Sequence, residues 1–173
     1  MILLEIGFQS IQIAVMFVFF IAIAWLLAEF KGMKDEMKER FGINNETLKL
    51  QLGALERLTL YAERTSLKNL VSRTPYSDLS VLNYQLVLLD AIKTEYEYNV
   101  SQQIYVSTDV WKALGNLKDQ NIYIINQIAA MLPNQAPAIE LSKRLLEYAV
   151  TTSNSDLSTI VLEALQFEAK KLL

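Results

Sequence analysis

Neither cysteine nor histidine occurs among the 173 residues. Their absence removes disulfides, thiolate and imidazole metal sites, cysteine nucleophiles, Ser-His relays and histidine acid/base chemistry, and most enzyme classes go with them. Glycine and proline are scarce, at five and three residues, too few for the many turns of an all-β protein. No stretch has the low hydrophobicity of a disordered tail. No phosphate loop, Gly-rich turn, zinc spacing or EF-hand loop is present, so the sequence names no catalytic, cofactor or metal residue. Positive charge is also missing locally: no Lys or Arg precedes Lys31.

What is present is apolar. Hydrophobic residues make up 52% of the chain, slightly more than an ordinary soluble domain carries. From Ile13 to Ala28 no polar side chain occurs, and the stretch reaches back to Ile6 if Gln9, Ser10 and Gln12 sit near an interface. At 1.5 Å per residue these positions span roughly 34 Å, enough to cross a hydrocarbon core of about 30 Å. Apolar residues lie all round the helix, as expected where every face meets lipid; Ile13, Phe17, Phe20, Ala24, Trp25 and Ala28 are assigned to the membrane. A cleaved secretory signal is the rival, with Ala22-Ile23-Ala24 as its small-x-small site, but it wants a basic leading segment and a shorter apolar core. The chain therefore reads as a transmembrane anchor (1–30), a charged juxtamembrane helix and linker (31–44) and a helical domain (45–173).

All 16 cations follow the apolar segment. The positive-inside rule sends the C-terminal part to the cytoplasm and the N-terminus outward. Lys31, Lys34, Lys38 and Arg40 are interleaved with Asp35, Glu36 and Glu39, which is a mixed-charge helix and not a polybasic lipid-binding cluster. After position 30 the cations meet 17 of the 19 carboxylates, Glu5 and Glu29 being the other two, for a net charge of -1. Nucleic-acid binding, which needs a basic face to displace counterions, has no support.

Helical periodicity dominates the rest. The flank continues the membrane helix until Gly42 and Asn44-Asn45 end it, with Asn45 capping the next helix. Between Glu46 and Arg64, the apolar residues Leu48, Leu50, Leu52, Ala54, Leu55, Leu58, Tyr61 and Ala62 fall on an arc of roughly 200°, wide enough to pack on two sides. A short turn, Leu67 to Arg73, is stopped by Pro75; Ser77 then caps a long helix from Asp78 with the stripe Leu79, Leu82, Leu86, Leu89, Tyr96, Val100 and Ile104. Residues 103–106 are either its end or a short extended piece. Ser107 or Thr108 caps a helix through Leu132 whose seam Val110, Leu114, Leu117, Asn121, Ile124, Ile128 and Met131 steps by four and three, a heptad with one polar position. Pro133 ends it, Pro137 opens a helix over 138–150, and the polar run 151–155 leads into a last helix over 156–172. The expected fold is all-α: one N-terminal transmembrane helix and a cytoplasmic bundle of about five helices.

The densest polar block is Asp90, Glu95, Glu97, Asn99, Ser101, Gln102 and Gln103, interleaved with Tyr96, Tyr98 and Tyr105. On a helix, Glu95 and Glu97 point about 200° apart and cannot share a substrate; only an extended segment would put them on one face. Surface charges with buried polar groups that fix register are the plainer reading. Glu56-Arg57 and Glu63-Arg64 repeat at seven residues, which suits inter-helix ion pairs with the charged flank or with Lys93 and Glu95, or a docking face. Asn121 is buried if its seam packs, either satisfied within the chain or paired with a symmetry mate. Trp111 and the dispersed tyrosines fit core and rim packing better than an aromatic ligand box. Ala24 and Ala28 form a small-xxx-small pair, and Gln9 and Gln12 offer hydrogen bonds to a neighbouring membrane helix.

Segments 52–73 (LGALERLTLYAERTSLKNLVSR), 95–107 (EYEYNVSQQIYVS) and 111–130 resemble a Bacteroidota family of small proteins of unknown function. Its pattern has an ERL run, then an ER and Asn-Leu, then Glu-x-Glu with a nearby Asn and Ser-Gln-Gln-Ile-Tyr-Val-Ser. Here these are Glu56 to Leu58, Glu63-Arg64, Asn69-Leu70, Glu95, Glu97, Asn99 and Ser101 to Ser107. Tyr98 stands where the family has a histidine, and Thr65-Ser66-Leu67 where a proline segment is usual. The resemblance implies a membrane-tethered helical domain at a bacterial inner membrane and brings no activity with it.

The function expected is a protein-interaction module, an accessory or structural subunit of an inner-membrane complex, whose partners are the lipid bilayer and a membrane or cytoplasmic protein. The alternative is a self-assembling homo-oligomer built through Asn121 and the membrane helix. A third reading, an enzyme using carboxylates and tyrosines, requires a pocket lined by Glu95, Glu97 and Tyr98.

Overall fold

The computed structural model describes residues 2–152 and 157–172, with side chains from residue 16 onward. It is all-α. Six α-helices and one 3-10 helix occur among the described residues: α1 (Ile2–Thr65), α2 (Leu67–Arg73), α3 (Val81–Tyr98), the 3-10 helix (Val100–Tyr105), α4 (Thr108–Ala130), α5 (Ala138–Thr151) and α6 (Leu157–Leu172). The chain divides into two compact units, Met1–Thr47 and Leu48–Leu173.

The first unit is helical, and its described side chains, from residue 16, are exposed throughout. Phe17, Phe20 and Trp25 are more than 60% exposed, and Ala24 and Ala28 are exposed with them. The side chains of Gln9, Gln12 and Ile13 lie outside the described residues. This helix is long and apolar enough to cross a membrane, and none of its apolar window is buried.

The break expected at Gly42 and Asn44-Asn45 does not occur; α1 runs through it, and Asn45 caps nothing. One glycine and two asparagines cost about 2 kcal/mol of helix propensity, too little to end a helix flanked by Met, Lys, Glu and Leu and free of proline.

The second unit is built around α4, which takes part in two cores. Its first half places Val110, Leu114 and Leu117 against Leu55, Leu58, Tyr61 and Ala62 of α1 and Val161 and Leu165 of α6. Its second half places Ile124, Ile125 and Ala129 against α2 (Leu67, Leu70, Val71), α3 (Val81, Tyr84, Leu88, Ile92) and α5 (Ala138, Leu141, Leu145). The expected seam holds from Val110 to Ile124 and then drifts: Ile125 and Ala129 are buried, while Met131 is 78% exposed. A straight helix turns away from a 3.5-residue repeat by about 20° per heptad, which accounts for the drift.

At α3 the expectation fails in two ways. Ser77 is not the cap. Tyr76 to Leu79 form a turn closed by the Leu79 amide on the Tyr76 carbonyl, with Asp78 at φ 61, and the Ser80 hydroxyl accepts from the Asn83 amide. The loop before α5 supplies the remaining acceptors for this helix start: the Val81 and Leu82 amides donate to the Ala136 and Asn134 carbonyls at 2.8 and 3.2 Å. These orphan donors of a first turn need such partners. The buried stripe is also different. Val81, Tyr84, Leu88 and Ile92 face the core, Leu79, Leu89 and Tyr96 are half-buried, and Leu82, Leu86, Val100 and Ile104 are exposed. Two apolar stripes lie side by side on α3, and the one turned toward α4 and α5 is the buried one.

Residues 103–105 belong to the 3-10 helix, and only Val106 of the 103–106 stretch is extended. Ser107 caps α4 as expected, accepting from the Val110 amide, and α4 ends at Ala130. The Glu168 carboxylate of α6 accepts from both the amide and the hydroxyl of Ser107, which fixes α6 against the start of α4. Pro137 precedes α5. Of the polar run 151–155, residues 153–155 lie outside the described residues, as does Asp156.

Candidate functional site

The second unit carries a groove of about 510 Å³ between the C-terminal part of α1 and α6. Its origin is the packing of both helices on α4. α6 buries Ser158, Val161 and Leu165, at steps of three and four, leaving Leu162 and Ala169 half-buried on the adjoining stripe. α1 buries Leu55, Leu58 and Ala62, leaving Leu52 and Thr59 half-buried. The two half-buried stripes form the groove, lined by Leu52, Leu55 and Thr59 from one helix and Leu162, Leu165 and Ala169 from the other. The Thr59 hydroxyl donates to its own helix at the Leu55 carbonyl, 2.8 Å away, which leaves the groove wall largely apolar.

Around it stand three carboxylates, Glu56, Glu63 and Glu163, all on exposed residues, and no Lys or Arg belongs to the lining. Asn69 donates to the Glu63 carboxylate at 3.3 Å and to the Glu63 carbonyl at 2.9 Å. Two of these glutamates come from the Glu-Arg repeat, so the seven-residue spacing brings like charges to one groove two turns apart.

The arginines of that repeat turn to α3. Arg64 Nε lies 2.7 Å from Glu95 Oε1, and the Arg57 guanidinium sits 5.0 Å from the centroid of the Tyr98 ring. Between these contacts Tyr61 meets Tyr96 edge-on at 5.9 Å, Tyr96 stacks on Trp111 at 5.2 Å, and Lys118 Nζ lies 4.5 Å from the Tyr96 centroid. Trp111 and Tyr96 both pack against the core that holds Leu58 and Leu114. Tyr61 is 1% exposed. Burial raises its phenol well above the ordinary tyrosine range. The Thr65 hydroxyl gives its own proton to the Tyr61 carbonyl, and the Tyr61 hydroxyl itself has no hydrogen-bond partner among the described residues.

The polar block does not converge. Glu95 and Glu97 are both on α3, Glu95 half-buried in its ion pair and Glu97 exposed. Asn99 is buried at the helix end, its amide donating to the Glu95 carbonyl at 2.8 Å. Gln102 is buried and donates to the Ser101 hydroxyl at 3.1 Å, whereas Gln103 is exposed. None of these residues lines the groove. Asn121 is buried between the two cores, and its amide donates to the Thr65 carbonyl at 2.8 Å.

Sequence reasoning singled out Glu56 and Glu63 but not the α6 side. Thr159, Leu162, Gln166 and Ala169, at steps of three, four and three, were the available signal, a second stripe beside Ser158, Val161 and Leu165.

Residues 3–172 match a family described as "Family of unknown function (DUF7935)". No curated protein and no solved structure matches the chain.

Proposed function

The chain belongs to this family, DUF7935, and on that premise we propose that it is a membrane-tethered helical interaction module, an accessory or structural subunit of an inner-membrane complex. The observation that carries this reading is the run of exposed apolar side chains in α1, among them Phe17, Phe20, Trp25 and Leu27. Side chains of that size each gain roughly 1.5–3 kcal/mol on leaving water, so lipid is the natural solvent for them. The charge asymmetry around Lys31 orients the anchor with its N-terminus outward, and the resemblance described above suggests a Bacteroidota inner membrane. Tethering confines the 48–173 bundle to the membrane surface, where its effective concentration toward other membrane-bound partners rises steeply.

The test is purification of the tagged full-length protein from native membranes in mild detergent, with mass spectrometry of what accompanies it. Stoichiometric recovery of the same membrane proteins is the expected result. Recovery of the protein alone overturns the accessory-subunit reading and favours self-assembly.

A further inference from the structure

We propose that the groove between α1 and α6 docks one amphipathic, basic helix from a partner protein, an inference that rests on the interaction-module reading and specifies its partner. Three features of the groove define that occupant.

The first is architecture. The Thr65 end of α1 lies beside Asn121 while Leu55 shares a core with Val110, so α1 runs along α4 in the same direction. Glu168 of α6 lies beside Ser107 while Val161 shares that core with Leu114 and Leu117, so α6 runs the other way. These three helices and Tyr96 of α3 surround this core, and the groove is the outward channel between α1 and α6. A partner helix laid there packs on both walls, its side chains entering between the ridges of α1 and α6.

The second is size and polarity. About 510 Å³ holds a few apolar side chains but no helix backbone, which fits a helix resting on the rim with anchors at i, i+3 or i+4, and i+7.

The third is charge. Glu56, Glu63 and Glu163 flank the groove with no cation in its lining. An acidic partner would meet like charge and an anionic lipid head group would be repelled, whereas Lys or Arg beside the apolar anchors meets a complementary rim, which steers encounter and fixes orientation.

The experiment uses the full-length protein in phosphatidylcholine nanodiscs, titrated into a fluorescent 16-residue peptide with Leu at i, i+3, i+4 and i+7 spacing and Lys or Arg elsewhere. An otherwise identical peptide with Glu in place of the cations is the control. Saturable binding of the basic peptide alone is expected, weakened at least tenfold in the Glu56→Lys/Glu163→Lys variant and unchanged in Glu147→Lys on α5, with circular dichroism confirming that both variants fold. Equal binding of both peptides, no binding, or equal affinity in the two charge-reversal variants overturns the proposal. Membrane purification separates the two levels. A partner that still accompanies Glu56→Lys/Glu163→Lys removes the groove from its docking while the module reading stands; loss of the partner in that variant alone supports the groove.

Discussion

The Asn121 side-chain amide donates to the Thr65 carbonyl at 2.8 Å, tying the middle of α4 to the end of α1. Carbonyls in the last turn of a helix have no donor from their own helix, and Thr65 is fully buried, so without Asn121 its carbonyl is left dry and unpaired. In Asn121→Leu the new side chain suits the apolar seam but strands that carbonyl, a cost of about 1–3 kcal/mol. Urea unfolding of the full-length protein in neutral detergent should show the loss, while sedimentation should show no change of oligomeric state, since the amide finds its partner within the same chain. A change in oligomeric state would return Asn121 to a symmetric interface.

Tyr61 gives the opposite sign. Its ring is fully packed, but its hydroxyl is the one buried side-chain polar atom without a hydrogen-bond partner among the described residues. An unpaired buried hydroxyl costs about 1–3 kcal/mol. Tyr61→Phe keeps the edge-on contact with Tyr96 and removes that cost, so a gain on the order of 1 kcal/mol is expected in thermal unfolding at neutral pH. A loss would mean that the hydroxyl is hydrated or engaged in solution.

The contrast between these two residues shows what the sequence could and could not say. Asn121 was legible because it interrupts a seam: periodicity alone puts it inside, and a buried amide demands a partner. The hydroxyl of Tyr61 was not, since its ring fits the apolar arc of α1 and its missing partner depends on what α3 and α4 bring nearby. Helix existence followed from stripes, from the stops at Pro75 and Pro133 and from the cap at Ser107. Two features failed because they are decided by distant chain. The start of α3 is set by carbonyls of the 134–136 loop rather than by Ser77, and the choice between two apolar stripes on α3 is set by α4 and α5. The groove shared this fate: Glu56 and Glu63 were visible as a repeat, but their juxtaposition with Glu163 is a tertiary fact.

Asp78 closes the turn before α3 with φ 61, the only positive φ at a non-glycine among the described residues. It occupies the third position of the Tyr76–Leu79 turn, which requires that conformation and for which glycine is the usual choice. The left-handed region costs a residue with a Cβ about 1 kcal/mol, somewhat less for Asp. Asp78→Gly should therefore leave the unfolding free energy unchanged or raise it slightly, and Asp78→Val should lower it by about 1–2 kcal/mol in urea titration. Equal effects of the two substitutions would show that the turn relaxes in solution.

Alkaline pH should weaken the second unit through its buried tyrosines. The Tyr84 phenol, whose ordinary value is 10.0, is pushed up to about 12 by burial, with the nearby Ser142 side chain offsetting part of the shift and Tyr76 adding to it. Tyr61 is raised as well. Below pH 10 both states of the protein hold these protons and stability does not depend on them. As pH rises from 10 toward 12 the unfolded chain ionises while the folded chain keeps its phenols neutral, so the unfolded state is favoured by about 1.4 kcal/mol per pH unit for each tyrosine. The urea midpoint should hold from pH 7 to 9 and fall between pH 10 and 12. Lysines titrate in the same window, so the discriminating comparison is with Tyr84→Phe. That variant loses long hydroxyl contacts to the Val71 and Thr74 carbonyls, at 3.4 and 3.5 Å, a small cost at neutral pH, and its alkaline decline should be shallower. An alkaline slope identical in the two proteins would mean that Tyr84 ionises as readily folded as unfolded.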